Sequence, residues 1–191
     1  IAALSAGEKI NQSEGRPALH MALRQQDDTP VHVDGRDVLP AIRAAQARIT
    51  ALAGALRDGR RTGATGRPIR DVVHIGIGGS DLGPRLVCDA LGAILPAGEH
   101  PPGVRLVSNV DPEHLTRALD GLDPEATLFV VVSKTFTTQE TLANAAAARR
   151  WLQAGLPAGA AAGTHFVGVS SNVAAAESFG IAADDVLPMW D

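Results

Sequence analysis

From Ile69 onward the chain alternates short apolar runs with longer segments of helical spacing, and nothing else in it restricts the fold so strongly. Val72–Ile77, Val104–Val107, Leu128–Val132, His165–Val169 and Asp185–Met189 read as strands. Leu82–Leu95, Pro112–Leu119, Thr138 to about Gln153, and Val173–Phe179 read as the helices between them. Strands that are apolar throughout, separated by helices of this length, belong to a parallel sheet covered on both faces. The expected fold class is therefore α/β, a doubly wound parallel sheet of about five strands. Earlier residues read differently, as helices over Arg16–Arg24 and Asp37–Arg57 followed by a loop around Gly59, Gly63 and Gly66. The expected organisation is a helical N-terminal segment, residues 1–66, ahead of a sheet domain, residues 67–191.

Composition bounds the partners. Hydrophobic residues make up 45% of the chain, enough for a sizeable core. Aromatic residues make up 3%, with no tyrosine, so the core is aliphatic and alanine-filled and platforms for stacking bases are scarce. A net charge of −4 argues further against nucleic acid or an anionic membrane as partner. Cys88 stands alone, so no internal disulfide forms, and a reducing, cytoplasmic setting fits. The chain opens on Ile1 and stops at Trp190-Asp191 just after a strand-like run, so both ends read as cut.

In a doubly wound sheet, ligands bind beyond the carboxyl ends of the strands. After the first strand come Gly76-Ile77-Gly78-Gly79-Ser80-Asp81, a turn whose glycines let backbone N–H groups approach a ligand. After the second come Ser108, Asn109 and Asp111, the last a helix N-cap. The third is followed by Ser133-Lys134-Thr135-Phe136-Thr137-Thr138, and the fourth by Ser170, Ser171 and Asn172. Four small, polar strand ends predict a pocket for a polyhydroxylated, charged ligand. The third end is the sharpest, because hydroxyls, a lysine and a helix start converge there, as a phosphate requires. The competing reading is that Thr137 or Thr138 caps the helix and Lys134 is a solvated charge.

Two familiar phosphate motifs fail. No G-x-x-x-x-G-K-[ST] run occurs, and Asp81 stands where the dinucleotide fingerprint needs its third glycine, which leaves an NAD-dependent dehydrogenase as a weak alternative. His20, His32, His74, His100, His114 and His165 are scattered without metal-ligand spacing. His74 and His165 lie in or beside apolar strands and read as satisfied core histidines. Cys88 reads as helix packing, and Glu140 as a first-turn carboxylate complementing the helix dipole. No acid–base pair declares itself.

Ile75–Pro84 together with Ser133–Thr141 closely resembles the phosphoglucose isomerase family. So do Gly7–Asn11, Glu14–Arg16, Leu19-His20, Val33–Gly35, Ser108–Asp111, Gly168–Asn172 and Phe179–Ile181, in the family's order; Ser13 and Pro17 depart from it. The resemblance implies a sugar-isomerase (SIS-type) domain and interconversion of glucose 6-phosphate and fructose 6-phosphate. It also implies no metal or organic cofactor, and a homodimer of longer chains. In the family, a loop matching Ser133, Lys134, Thr135, Phe136, Thr137 and Thr138 binds the substrate phosphate, and a turn matching Gly79-Ser80 contacts the sugar. The family's proton-transferring glutamate, its histidine, its late lysine and an arginine fall beyond Asp191, so no catalytic residue is expected here and isomerisation by residues 1–191 alone is not. The alternative is a non-catalytic SIS-type domain that senses a sugar phosphate.

Overall fold

The computed structural model describes residues 1–92 and 101–189. The chain forms two compact units, one of residues 1–51 and one that begins at Leu52.

In the first unit, α1 (Ala2–Ser5) and α2 (His20–Arg24) are short. Helix α2 falls short of the expected Arg16–Arg24. Pro17 biases the residue before it toward extended backbone, and Arg16 pairs with Asn11 in an antiparallel bridge. The all-helical reading also passed over a hairpin, β1 (His32–Val33) and β2 (Arg36–Asp37). Its two turn residues, Asp34 and Gly35, have φ of 50° and 78°, the pair of positive angles that an Asp-Gly turn favours. Asp37 then leads into α3 (Leu39–Arg57), its Oδ1 accepting from the Leu39 N–H at 3.1 Å and the Val31 N–H at 3.3 Å. Leu39 and Ile42 bury against Ala22 and Val31.

The second unit carries the parallel sheet: β3 (Asp71–Ile75), β4 (Gly103–Val107), β5 (Thr127–Val132), β6 (Phe166–Ser170) and β7 (Val186–Pro188). Its helices are α4 (Gly79–Gly92), α5 (Pro112–Leu119), α6 (Gln139–Gly155) and α7 (Val173–Phe179). The expected α/β fold is the one observed, with strand order β4-β3-β5-β6-β7 and every neighbouring pair parallel. Helix α4 starts at Gly79, so the glycine turn runs straight into its first turn; its expected end at Leu95 lies outside the described residues.

Side chains alternate across the sheet, as the strand period of two demands. Val73, Ile75, Phe129 and Val131 face one way and bury against Leu115 and Leu119 of α5, Ala145, Ala148 and Leu152 of α6, and Ala176 of α7. Leu128 and Val167 face the other way, with Val72 and Val130, onto Leu52 and Leu56 of α3. Right-handed crossovers account for this, since β4→β5, β5→β6 and β6→β7 all step in one direction and put α5, α6 and α7 on one face. The step from β3 to β4 is the opposite one, so α4 takes the other face. Among the described residues, the few aromatic rings gather on the α6–α7 side. Phe129 stacks on Phe166 at 5.3 Å and meets Trp151 edge-on at 6.0 Å. The Arg149 guanidinium lies 4.1 Å over the Phe179 ring, where burial lowers its pKa.

Candidate functional site

Strands β3 and β5 lie side by side, with Ile75 opposite Val131. The chain leaves β3 toward β4 on one side and leaves β5 toward β6 on the other. Such a reversal opens a crevice beyond the carboxyl ends of the two strands, the place where doubly wound sheets take their ligands. The turn after β3 contains Gly79 and Ser80, and the loop after β5 is Ser133–Thr138. Residues far apart in sequence thus meet at one edge of the sheet.

The glycine turn is built by close approach. A Cβ on Gly76 would stand 2.7 Å from the Ser80 carbonyl oxygen and 3.0 Å from His74 Nε2. Gly78 has φ of +59°, and Gly79 begins α4 with nothing within 4 Å of where its Cβ would be. Pro84 lies inside α4 and has no N–H for the carbonyl four residues back, that of Ser80. His74 Nε2 donates to that carbonyl instead, at 2.7 Å. A carbonyl only accepts, which assigns the imidazole proton to Nε2. Burial pushes the His74 pKa below its ordinary 6.5, with the Ser80 bond opposing. Asp81 is buried and paired with Arg85 through two 3.0 Å bonds, and Arg85 Nη2 also donates to Ser108 Oγ at 3.3 Å. These bonds tie the turn to the end of β4.

The hydroxyl loop does not do what capping requires. Thr138 occupies the N-cap position of α6, yet its side chain makes no capping bond. Thr138 Oγ1 lies 3.1 Å from Ser133 Oγ, and Thr135 Oγ1 lies 2.6 Å from Thr137 Oγ1. The helix start is left without a side-chain cap, and the positive end of its dipole stays available to an anion. Thr135 and Thr137 are exposed, Lys134, Thr138 and Ser80 are half-buried, and Ser133 is buried. Phe136 is 3% exposed and points into the core. Its φ of +54° is a left-handed conformation that costs a bulky residue about 1–3 kcal/mol.

The polar side chains at the end of β6 turn to the backbone of the loop after β5. The Lys134 carbonyl accepts from the Ser171 N–H at 2.9 Å, Ser170 Oγ at 2.9 Å and Ser171 Oγ at 2.8 Å. Asn172 Nδ2 donates to the Thr135 carbonyl at 3.1 Å, while its Oδ1 caps α7 through the Ala175 N–H. These side chains hold the loop's backbone. Sequence reasoning missed that division of labour, because hydroxyls that support a loop and hydroxyls that contact a ligand look alike in a string of letters.

Asp111 caps α5 as expected, accepting from the Glu113 N–H at 2.9 Å. His165 is a core histidine, with Nδ1 donating to the Thr127 carbonyl and Nε2 accepting from the Ala64 N–H, both at 2.8 Å. His100 lies outside the described residues. Among the described residues, no three His, Cys, Asp or Glu side chains are grouped to hold a metal ion, and no helix is long and apolar enough to cross a membrane.

A family model described as phosphoglucose isomerase matches residues 1–191, the whole of the chain. The chain belongs to the phosphoglucose isomerase family. Curated proteins similar to it include glucose-6-phosphate isomerases of Desulforapulum autotrophicum, 47% identical over 191 residues, and of Mycolicibacterium smegmatis, 51% identical over 189. The matches cover 100% and 99% of this chain and 34% of each relative. A crystal structure of a glucose-6-phosphate isomerase from Chlamydia trachomatis superposes with a TM-score of 0.75 at 30% identity, covering 100% of this chain and 35% of that one. The chain thus spans about a third of the length of these family members.

Proposed function

We propose that this chain supplies the sugar-phosphate-binding part of an aldose–ketose isomerase that interconverts glucose 6-phosphate and fructose 6-phosphate. The observation that carries the reading is the meeting of two unlike turns at one switch point. One is bare of side chains at Gly78 and Gly79, and the other is dense in hydroxyls around Lys134. The substrate phosphate binds the Ser133–Thr138 loop through its hydroxyls, the lysine and the uncapped start of α6. The sugar end lies against Gly79 and Ser80, where the missing side chain lets a ring come close to backbone N–H groups. Holding a substrate at both ends orients C1 and C2 toward a base that moves a proton between them. No residue of this chain is assigned that role.

The activity for which the relatives are named supports the substrate, and membership of the family supports the reaction class. The same reading takes residues 67–191 as an SIS-type domain behind the segment 1–66. The active form is a homodimer of longer chains in the cytoplasm, without nucleic-acid or membrane partners. A net charge of −4 and a single cysteine are consistent with that setting.

Lys134→Ala and Thr135→Ala, made in the full-length protein and assayed with fructose 6-phosphate, each raise KM about tenfold or more, the loss expected for one charge-assisted or buried hydrogen bond. Unchanged KM in both removes the loop from the site. A full-length wild-type protein that binds the sugar phosphate without isomerising it turns the reading into that of a sensor.

A further inference from the structure

We propose that Phe136 is a positioning residue, its buried ring holding the left-handed backbone that turns the flanking hydroxyls toward the ligand. The inference rests on the reading of Ser133–Thr138 as the phosphate loop. Thr135 and Thr137 are exposed with their hydroxyls 2.6 Å apart, and the residue between them is 3% exposed. A φ of +54° is not one that a phenylalanine adopts from local preference, so its surroundings must impose it.

The restraint is visible in the aromatic packing. The Phe136 ring meets the Phe179 ring edge-on at 6.0 Å, and Phe179 is itself fixed by Phe166 at 5.5 Å and by the Arg149 guanidinium at 4.1 Å. A second restraint is polar. Ser170 and Ser171 hold the Lys134 carbonyl, and Asn172 holds that of Thr135. Asn172 starts α7 and Phe179 ends it. The junction of β6 and α7 therefore fixes residues 134 and 135 through its polar side chains, and the aromatic end of α7 fixes residue 136. The segment that follows, Thr137, Thr138 and the uncapped start of α6, takes its direction from Phe136.

The test uses the full-length enzyme and separates KM from kcat. Phe179→Leu leaves the loop's own sequence intact, and Phe136→Leu keeps an apolar group while removing the ring. Each raises KM for fructose 6-phosphate about threefold to tenfold, the range expected from one edge-to-face pair, while kcat changes less than about twofold. The double variant is no worse than the poorer single one, because both act on the same contact. A merely structural role lowers the yield of folded enzyme and leaves KM per active molecule unchanged. Lys134→Ala in the same assay keeps the two readings apart. If it raises KM while both leucine variants keep the wild-type value, positioning is refuted and the phosphate loop stands. If it too leaves KM unchanged, the loop reading falls, and the inference falls with it. Should Phe136→Leu fail to fold, Phe179→Leu alone decides.

Discussion

Gly79 is a glycine that the fold does not require, and replacing it with alanine separates binding from folding. It opens α4 on helical backbone, and a Cβ there would meet nothing within 4 Å. Gly76 is the contrast, where the same atom would press on the Ser80 carbonyl oxygen at 2.7 Å. Within a helix, alanine is favoured over glycine by about 0.5–1 kcal/mol. At the first position only part of that preference applies, so Gly79→Ala gains roughly 0–0.5 kcal/mol. For a domain of about 150–250 residues, 1 kcal/mol moves the melting midpoint about 2–4 °C, so the variant melts within about 2 °C of its parent or slightly above. With the sugar end placed at Gly79 as proposed, the ligand meets the opposite situation. A sugar hydroxyl about 2.9 Å from a turn N–H shares its space with the new methyl, which has to stay about 3.5–4 Å away. Losing that bond and leaving its partner desolvated costs about 1–2 kcal/mol, and KM rises about tenfold. Steady-state kinetics of the full-length protein with fructose 6-phosphate, run beside a thermal melt, measure both. An unchanged KM with an unchanged melt refutes the placement of the sugar end at Gly79. A midpoint lowered by more than about 4 °C refutes the claim that the methyl has room.

Two further outcomes rest on the histidines. The folded state holds the His74 pKa below 6.5, so as pH falls the unfolded chain takes up the proton first, and stability that is complete above about pH 6.5 drains away below it. His74→Leu removes that slope and, by leaving the Ser80 carbonyl without its donor, lowers stability by about 1–3 kcal/mol near neutral pH. Urea unfolding at about pH 7.5 and about pH 5.5 measures both effects, and equal slopes in parent and variant rule His74 out as their source. Gly63→Ala puts a Cβ into the His165 ring and 2.6 Å from the Glu125 carbonyl oxygen. Because both nitrogens of that buried ring are already bonded, the loop must yield, at a cost of about 1–3 kcal/mol in urea unfolding. Full stability in that variant shows that the ring is not held as tightly as its two bonds imply.

The sheet was legible because its central strands are short, mostly buried runs of β-branched and aromatic residues, such as Leu128–Val132, set between helices of clear periodicity. Pro112–Leu119 was readable to the residue, since Asp111 supplies a cap and Pro112 a start. The N-terminal unit was read less well. His32–Asp37 forms a hairpin whose strands are two residues each, too short for any periodicity to register, and the Asp34-Gly35 pair was its one local signal. At the site, the residue types after each strand pointed to a polar ligand, but the structure divides them by task. Ser170, Ser171 and Asn172 bond to loop carbonyls, and Phe136 turns inward on a backbone angle that no propensity scale anticipates. Pro84 inside α4 leaves the Ser80 carbonyl without a helical donor, and only the position of His74 at the end of β3 shows what takes that place.

The strand order has a consequence for how the protein is made. Strand β3 pairs with β4 first in sequence but with β5 on its other side, so Asp71 lies opposite both Gly103 and Thr127. During synthesis, the unit β3–α4–β4 can form while β5 is still unmade, and at that stage the glycine turn exists with no loop to face it. The crevice comes into being only when β5 docks along the free edge of β3, a pairing remote in sequence and therefore slow to form. An early edge waiting for its neighbour is the vulnerable stage of such a fold, open to strands from other chains. Completing the crevice at the switch point and sealing that edge are one event.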